Sequence, residues 1–155
     1  MSGADPDQAE SSSEPHPGAA IISLSWIGTG VYTVTAAIAT VFPDALGAVT
    51  VIVTLSLFAI GCVVFFWAYA VAVQRSRTDL IGIGGLYFLA GTAPNPVRLR
   101  LLGSLAVEVL VAIVTSSIRL YSPLAFGFLV PVFGLGMCGL WGARHGTFEP
   151  RPVPE

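Results

Sequence analysis

The chain has 155 residues, of which 54% are hydrophobic and only 10% charged, and its net charge is -2. Soluble domains carry about 25% charged residues and leave about 30% of their unfolded surface wet, so this composition excludes an ordinary soluble domain and reads as one domain built for lipid. There is no lysine, and the arginines at 75, 77, 98, 100, 119, 144 and 151 are too sparse for the basic stripe that nucleic-acid binding requires.

The first 19 residues, MSGADPDQAESSSEPHPGA, contain four acids, three prolines and a serine run, with no large apolar side chain after Met1. Too little can be buried there to offset the entropy of ordering, so a disordered tail is expected over 1–19. Its acidic start argues against a secretory signal peptide, and without a basic start the Ala37-Ile38-Ala39 triplet makes a poor cleavage site. An apolar run follows over roughly residues 20 to 42, long enough at about 1.5 Å per residue to cross a hydrocarbon layer about 30 Å thick. It ends at Pro43-Asp44, and a second run over about 45 to 73 begins at once. A continuous helix through Pro43 would be far too long, so the two runs should form a tight antiparallel hairpin.

Between Arg77 and Pro94 lies TDLIGIGGLYFLAGTA, too apolar for a solvated connection and too short to span. Residues 78–93 should therefore lie against the membrane. One form is an interfacial helix capped by Thr78 or Asp79, with Leu80, Ile83, Leu86, Tyr87 and Ala90 at helical spacing; the other is a re-entrant loop freed by glycines 82, 84, 85 and 91. The interfacial form is favoured, because re-entrant backbone is tolerated only where protein or water shields it. Gly82-Ile83-Gly84-Gly85 does not make a phosphate loop, since it lacks the GxxxxGK[ST] spacing and any lysine.

A third apolar run covers about 97 to 120 and a fourth about 123 to 143. Asn95-Pro96 and Ser122-Pro123 each place a capping side chain before a proline at the first helical position, setting helix three at about 96 and helix four at about 123. The fold class is all-α and polytopic: four transmembrane helices as two antiparallel hairpins over 20–145, with a short tail over 146–155. Both termini then share a side with the 74–100 loop, and that side holds six arginines against Arg119 alone on the other. The positive-inside rule makes it cytoplasmic, which gives a multi-pass protein of the cytoplasmic (inner) membrane with both termini inside. Trp26, Trp67 and Trp141 fall near the same ends, as an interfacial aromatic belt requires.

The third span carries the most informative residues. Ser104, Glu108, Thr115 and Arg119 are spaced by 4, 7 and 4 positions, which places them on one helical face. A central acid costs about 2.5 to 3.5 kcal/mol to insert, while the span's Leu, Ile and Val side chains return about 3 to 7, so the helix still enters. Such a stripe should turn toward other helices. Arg119, about 16 Å further along, and Arg100, about 12 Å the other way, are too distant to pair with Glu108, and Arg119 can snorkel to the outer interface. The expected partners are hydroxyls: Ser25, Thr29, Thr33 and Thr40 on helix one, or Thr50 and Thr54 on helix two. A protonated carboxyl sharing hydrogen bonds with them is the cheapest state.

Helix four, GFLVPVFGLGMCGLWGARHG, holds glycines 127, 134, 136, 139 and 142 around Pro131. Pro131 should kink the span, and Gly134 and Gly136 should allow close packing or serve as a hinge. Arg144 and His145 read as interface groups. Cys62 and Cys138, in apolar runs without ligand spacing, read as small core residues, and no metal or other cofactor is expected.

Taken together, FFWAYAVAVQRSR, LYFLAGTAPNPVRLRLLG and GLGMCGLWGARHGTF resemble segments of a group of small bacterial four-span membrane proteins of unknown function, over most of residues 60 to 148. The resemblance implies the same architecture and carries over no functional residue. No Ser-His-Asp, Cys-His or paired-carboxylate set suggests an enzyme. The expected function is a structural or accessory subunit of a membrane complex, with the lipid bilayer and other membrane helices, as a homo-oligomer or an unrelated subunit, as partners. The alternative is a small oligomeric transporter or channel using Glu108 as a proton or cation site.

Overall fold

A single residue, Phe42, separates the first two helices: it closes α1 (Ala19–Val41) through its amide on Ile38 O (2.9 Å) and opens α2 (Pro43–Arg75) by accepting the amide of Leu46 (3.1 Å). Proline at the first position of α2 makes the break there, because its ring has no amide to give the preceding turn. The computed structural model describes residues 18–118 and 121–152. The expected tail up to residue 17, with His16, the stripe residue Arg119, and residues 153–155 lie outside the described residues. A five-residue α3 (Ile83–Tyr87), α4 (Asn95–Ile118), a 3-10 helix (Pro123–Leu129) and α5 (Pro131–His145) complete the order.

Four stretches, Ala19–Val41, Pro43–Arg75, Asn95–Ile118 and Leu124–His145, are long and apolar enough to cross a membrane, so the protein is an all-α, multi-pass membrane fold. Polarity runs inside out. Ser25, Thr29, Thr50, Thr54, Ser104, Glu108, Thr115 and Ser116 are buried, while Ile27, Val34, Ile52, Val63, Phe66, Leu110 and Val114 are exposed. An apolar exterior needs no hiding in lipid, whereas each hydroxyl or carboxyl there needs a partner from the protein.

Gly18, at the start of α1, lies against Trp141 and His145 at the end of α5, and Arg75, at the end of α2, bonds to Ala143 O. These contacts make α1 parallel to α4 and α2 parallel to α5, with each hairpin antiparallel. The most intimate pairing is α2 with α5, and glycine makes it possible. A methyl group on Gly136 would stand 2.8 Å from Gly61 O, and one on Gly61 would stand 2.6 Å from the backbone of Phe133. Without side chains there, the backbones touch directly.

The fourth span changes from 3-10 to α-helix at Pro131. Ser122 caps the 3-10 turn by accepting the amide of Leu124 (3.3 Å), as its sequence position suggests, but the α-helix begins only at Pro131, which occupies its first position. Helix α4 also starts one residue earlier than expected: the carbonyl of Pro94, not the Asn95 side chain, receives the amides of Val97 and Arg98 (both 3.0 Å).

Residues 78–93 do not form the expected interfacial helix, because only Ile83–Tyr87 is helical and neither Thr78 nor Asp79 caps it. The segment folds inward instead. Tyr87 stacks on Phe65 (4.4 Å between centroids, 14° between planes), donates to Phe65 O (3.2 Å) and covers Gly139, while Leu86 O lies against Gly142. Phe65 and Gly139 sit, at about 1.5 Å per residue, roughly 15 and 9 Å inside the ends of their helices. The chain then turns back through Leu89 (φ 53°) and Gly91 (φ 73°), and Thr92 O receives the amide of Thr147 (3.0 Å). The segment thus packs Leu86 and Tyr87 against α2 and α5 while Ile83 and Phe88 stay exposed.

Arg75 ties this end together. It pairs with Asp79 (3.1 Å), donates to the carbonyls of Ala143 (2.8 Å) and Gly146 (3.2 Å), and lies over the Phe148 ring (5.4 Å). The C-terminal stretch lies beside residues 78–80, with Leu80 N on Glu149 O (2.8 Å) and Arg151 N on Thr78 O (2.7 Å).

Replacing Gly136 by Ala should push α2 from α5 and destabilise the protein by about 1–3 kcal/mol. Gly30, which has open space where a methyl would go, should accept Ala with no loss and up to about 1 kcal/mol of gain. Thermal unfolding in mild detergent measures both; equal effects would refute the glycine-dependent contact.

Candidate functional site

Because α1 and α4 run in the same direction, residues 79 apart in sequence meet along their interface. Ser25 faces Ser104 (2.6 Å between hydroxyl oxygens), and one turn deeper Thr29 faces Glu108 (2.8 Å from Oγ1 to Oε1). The expected stripe is thus turned inward: Ser104, Glu108 and Thr115 are all buried, with Glu108 at 0% exposure. Thr115 bonds to Val111 O (2.7 Å) within its own helix.

The second carboxyl oxygen is held by the backbone of α5. Near the start of that helix, Phe133 N–H bonds to Val130 O (2.8 Å), and the next amide, that of Gly134, donates to Glu108 Oε2 (3.1 Å). The break at Pro131 creates a helix beginning within the span, with the exposed amides and partial positive charge that every helix start carries. In lipid no water can satisfy them. Glu108 therefore supplies a cap that α5 lacks in its own sequence. Gly134 permits the approach, since a methyl there would stand 2.5 Å from Oε2.

Hydrogen counting describes the network further. Thr29 Oγ1 carries one proton but lies within bonding distance of both Glu108 Oε1 (2.8 Å) and Ser25 O (2.9 Å). A carboxyl protonated on Oε1 donates to Thr29, which then donates to Ser25 O, so both contacts become bonds. Among the described residues the ion pair is Arg75–Asp79, and no cation faces Glu108. The Ser104 hydroxyl reaches Leu101 O (2.8 Å), leaving Ser25 as the donor across the helix pair.

Four hydroxyls on α1 were candidates for Glu108, and only Thr29 reaches it. Ser25 pairs with Ser104, while Thr33 and Thr40 bond back to Thr29 O and Ala36 O. On α2, Thr50 bonds to Leu46 O, and Thr54 is buried without a partner. Tyr32, not singled out by the sequence reading, is 1% exposed; its hydroxyl has no partner at hydrogen-bonding distance and lies toward Thr115. Its place three residues beyond Thr29, on the same face, was the available signal.

Gly134 meets the carboxyl and Pro131 opens the helix that carries it, whereas Gly136 serves the α2 contact. Trp26 and Trp67 are exposed, with Trp67 under Arg144 (5.8 Å), but Trp141 is 3% exposed and so does not belong to a lipid-facing belt. Cys138 is buried, Cys62 half-buried and both are free; no cluster of three metal-ligating side chains occurs among the described residues. The chain matches no family model, no curated protein and no solved structure.

Glu108→Gln keeps one acceptor for Gly134 and one donor for Thr29, so it should unfold within about 1 kcal/mol of the wild type. Glu108→Ala orphans the Gly134 amide and opens a void, and should cost about 3 kcal/mol. Thermal or denaturant unfolding in mild detergent separates them; a Gln variant as unstable as the Ala variant would show that the charge, not the hydrogen bonding, holds the bundle.

Proposed function

We propose that this protein is a structural or accessory subunit of a membrane complex, without catalytic activity, whose intramembrane acid fastens its own helices. The observation that carries this reading is the sealed carboxyl. Both Glu108 oxygens are occupied from within the chain, and no part of the residue is exposed. In transporters built with broken helices, the free helix start points at a substrate anion. Here that position is filled by the protein's own side chain. The apolar outer faces of α1, α2 and α4 offer lipid and neighbouring membrane helices a surface, and the assembly is either a homo-oligomer or a complex with an unrelated subunit.

The setting we propose is the cytoplasmic membrane of a bacterium, in keeping with the resemblance of three segments to small bacterial four-span proteins. Orientation is argued from charge: Arg75, Arg77, Arg98, Arg100, Arg144 and Arg151 all belong to the end where Gly18 meets Trp141. By the positive-inside rule this end, with both termini, is cytoplasmic. A second reading, a small oligomeric transporter or channel using Glu108 as a proton or cation site, draws on the unpartnered Tyr32 hydroxyl beside the network.

A reporter active only outside the cytoplasm, fused after Glu155, should stay silent; activity would reverse the orientation. Cross-linking in native membranes, followed by mild-detergent purification, should recover a stable unrelated protein with the chain. A ladder of the chain alone, together with proton or cation flux in proteoliposomes that Glu108→Gln abolishes, would overturn the accessory role in favour of transport.

A further inference from the structure

Charge at the arginine-bearing end of the bundle is unbalanced. Among the described residues this end holds six arginines, at 75, 77, 98, 100, 144 and 151, against two acids, Asp79 and Glu149. Arg75 pairs with Asp79, whereas Arg98 and Arg100, near the start of α4, have no hydrogen-bond or carboxylate partner among the described residues. The excess is four positive charges, and residues 2–15 contain four carboxylates, Asp5, Asp7, Glu10 and Glu14. Two adjoining grooves, of about 420 and 400 Å³, open on the same end. Ala19 and Arg100 line the first, His145 and Thr147 the second; Pro94 and Trp141 belong to both walls, and no acid lines either groove. Gly18, which leads into α1, lies against Trp141 and His145 with φ 81°. The residues before it are therefore attached where the two grooves meet.

We infer that the acidic segment over residues 5–14 docks across these grooves, with Glu10 and Glu14 paired to Arg98 and Arg100. Reach allows it. Glu14 is four residues from Gly18 and Glu10 eight, so at about 3.3 Å per residue they extend up to roughly 13 and 26 Å from that point. Arg100 lies in the wall that begins with Ala19, the residue next to Gly18. A segment tethered this close presents its carboxylates at an effective concentration on the order of millimolar, which favours it over free anions. The docked segment shields the arginines of α4, so an anionic partner has to displace it. The docking stands whether the chain is an accessory subunit or a transporter.

The test uses the full chain in neutral detergent and a glutamyl endopeptidase. This protease cuts after Glu10, which precedes Ser11, but not after Glu14 or Glu149, each of which precedes a proline. At about 10 mM salt, Arg98→Gln/Arg100→Gln should be cut about fivefold faster than the wild type, the size of two exposed ion pairs. The rates should converge at about 1 M salt, where the screening length falls to about 3 Å. Arg98→Lys/Arg100→Lys, which keeps the charge, should stay within about twofold of the wild type, as should Arg77→Gln/Arg151→Gln, which removes the same charge outside the groove walls. Equal rates for all four proteins, or equal acceleration by the two glutamine pairs, would overturn the docking. Protection that fades on dilution would give the segment to a second copy of the chain. Protection kept in phosphatidylcholine nanodiscs but lost when they contain phosphatidylglycerol would give the arginines to lipid headgroups, and either result would also overturn the assignment.

Discussion

The bundle depends on one hydrogen-bonded group: the Glu108 carboxyl, held on one side by Thr29 of α1 and on the other by the Gly134 amide at the start of α5. A broken helix in lipid requires an acceptor, and an acid in lipid requires donors. Each is unfavourable alone, and together they satisfy one another. Three of the four spans are thereby fixed in register by a single side chain, while the fourth, α2, is fixed through backbone contact at Gly61 and Gly136. Side-chain packing completes the arrangement: the Phe133 ring fills the space left by Gly28 on α1 while its backbone rests against Gly61 on α2.

The four spans were legible because apolar length is a strong signal and lipid imposes it directly. The part of the third-span stripe formed by Ser104, Glu108 and Thr115 was legible too, because their spacing by 4 and 7 places them on one helical face. Thr29 was one of four hydroxyls on its helix that could have met Glu108; choosing it requires the register of α1 against α4, which no local pattern encodes. The Gly134 amide was illegible for a different reason. Backbone donors carry no letter in a sequence, and this one becomes available only because the α-helix starts at Pro131.

Two further readings failed on tertiary grounds. Leu80, Ile83, Leu86, Tyr87 and Ala90 have helical spacing, but four glycines and the positive φ of Leu89 let Leu86 and Tyr87 pack against α2 and α5 and become buried. Trp141 has the position of a belt residue but lies under Gly18, so its flanking chain covers it. In both cases the neighbour that claims the side chain came from a distant part of the chain. What a sequence of this kind withholds is mainly pairing between helices, where small residues decide the distance and carry little pattern of their own.

The tightest helix contact joins the second span to the last one, the pair separated by residues 76–94 and the whole of α4. During synthesis α1 and α2 therefore enter the bilayer long before α5 leaves the ribosome, and Thr54 and Gly61 must wait facing lipid or the insertion machinery. The Tyr87 ring has no Gly139 to cover and Glu108 no Gly134 amide until α5 arrives. A truncation within α5 would leave an acid, a folded-back segment and a glycine face unpaired at once, giving cellular quality control a conspicuous target while the intact chain gives it none.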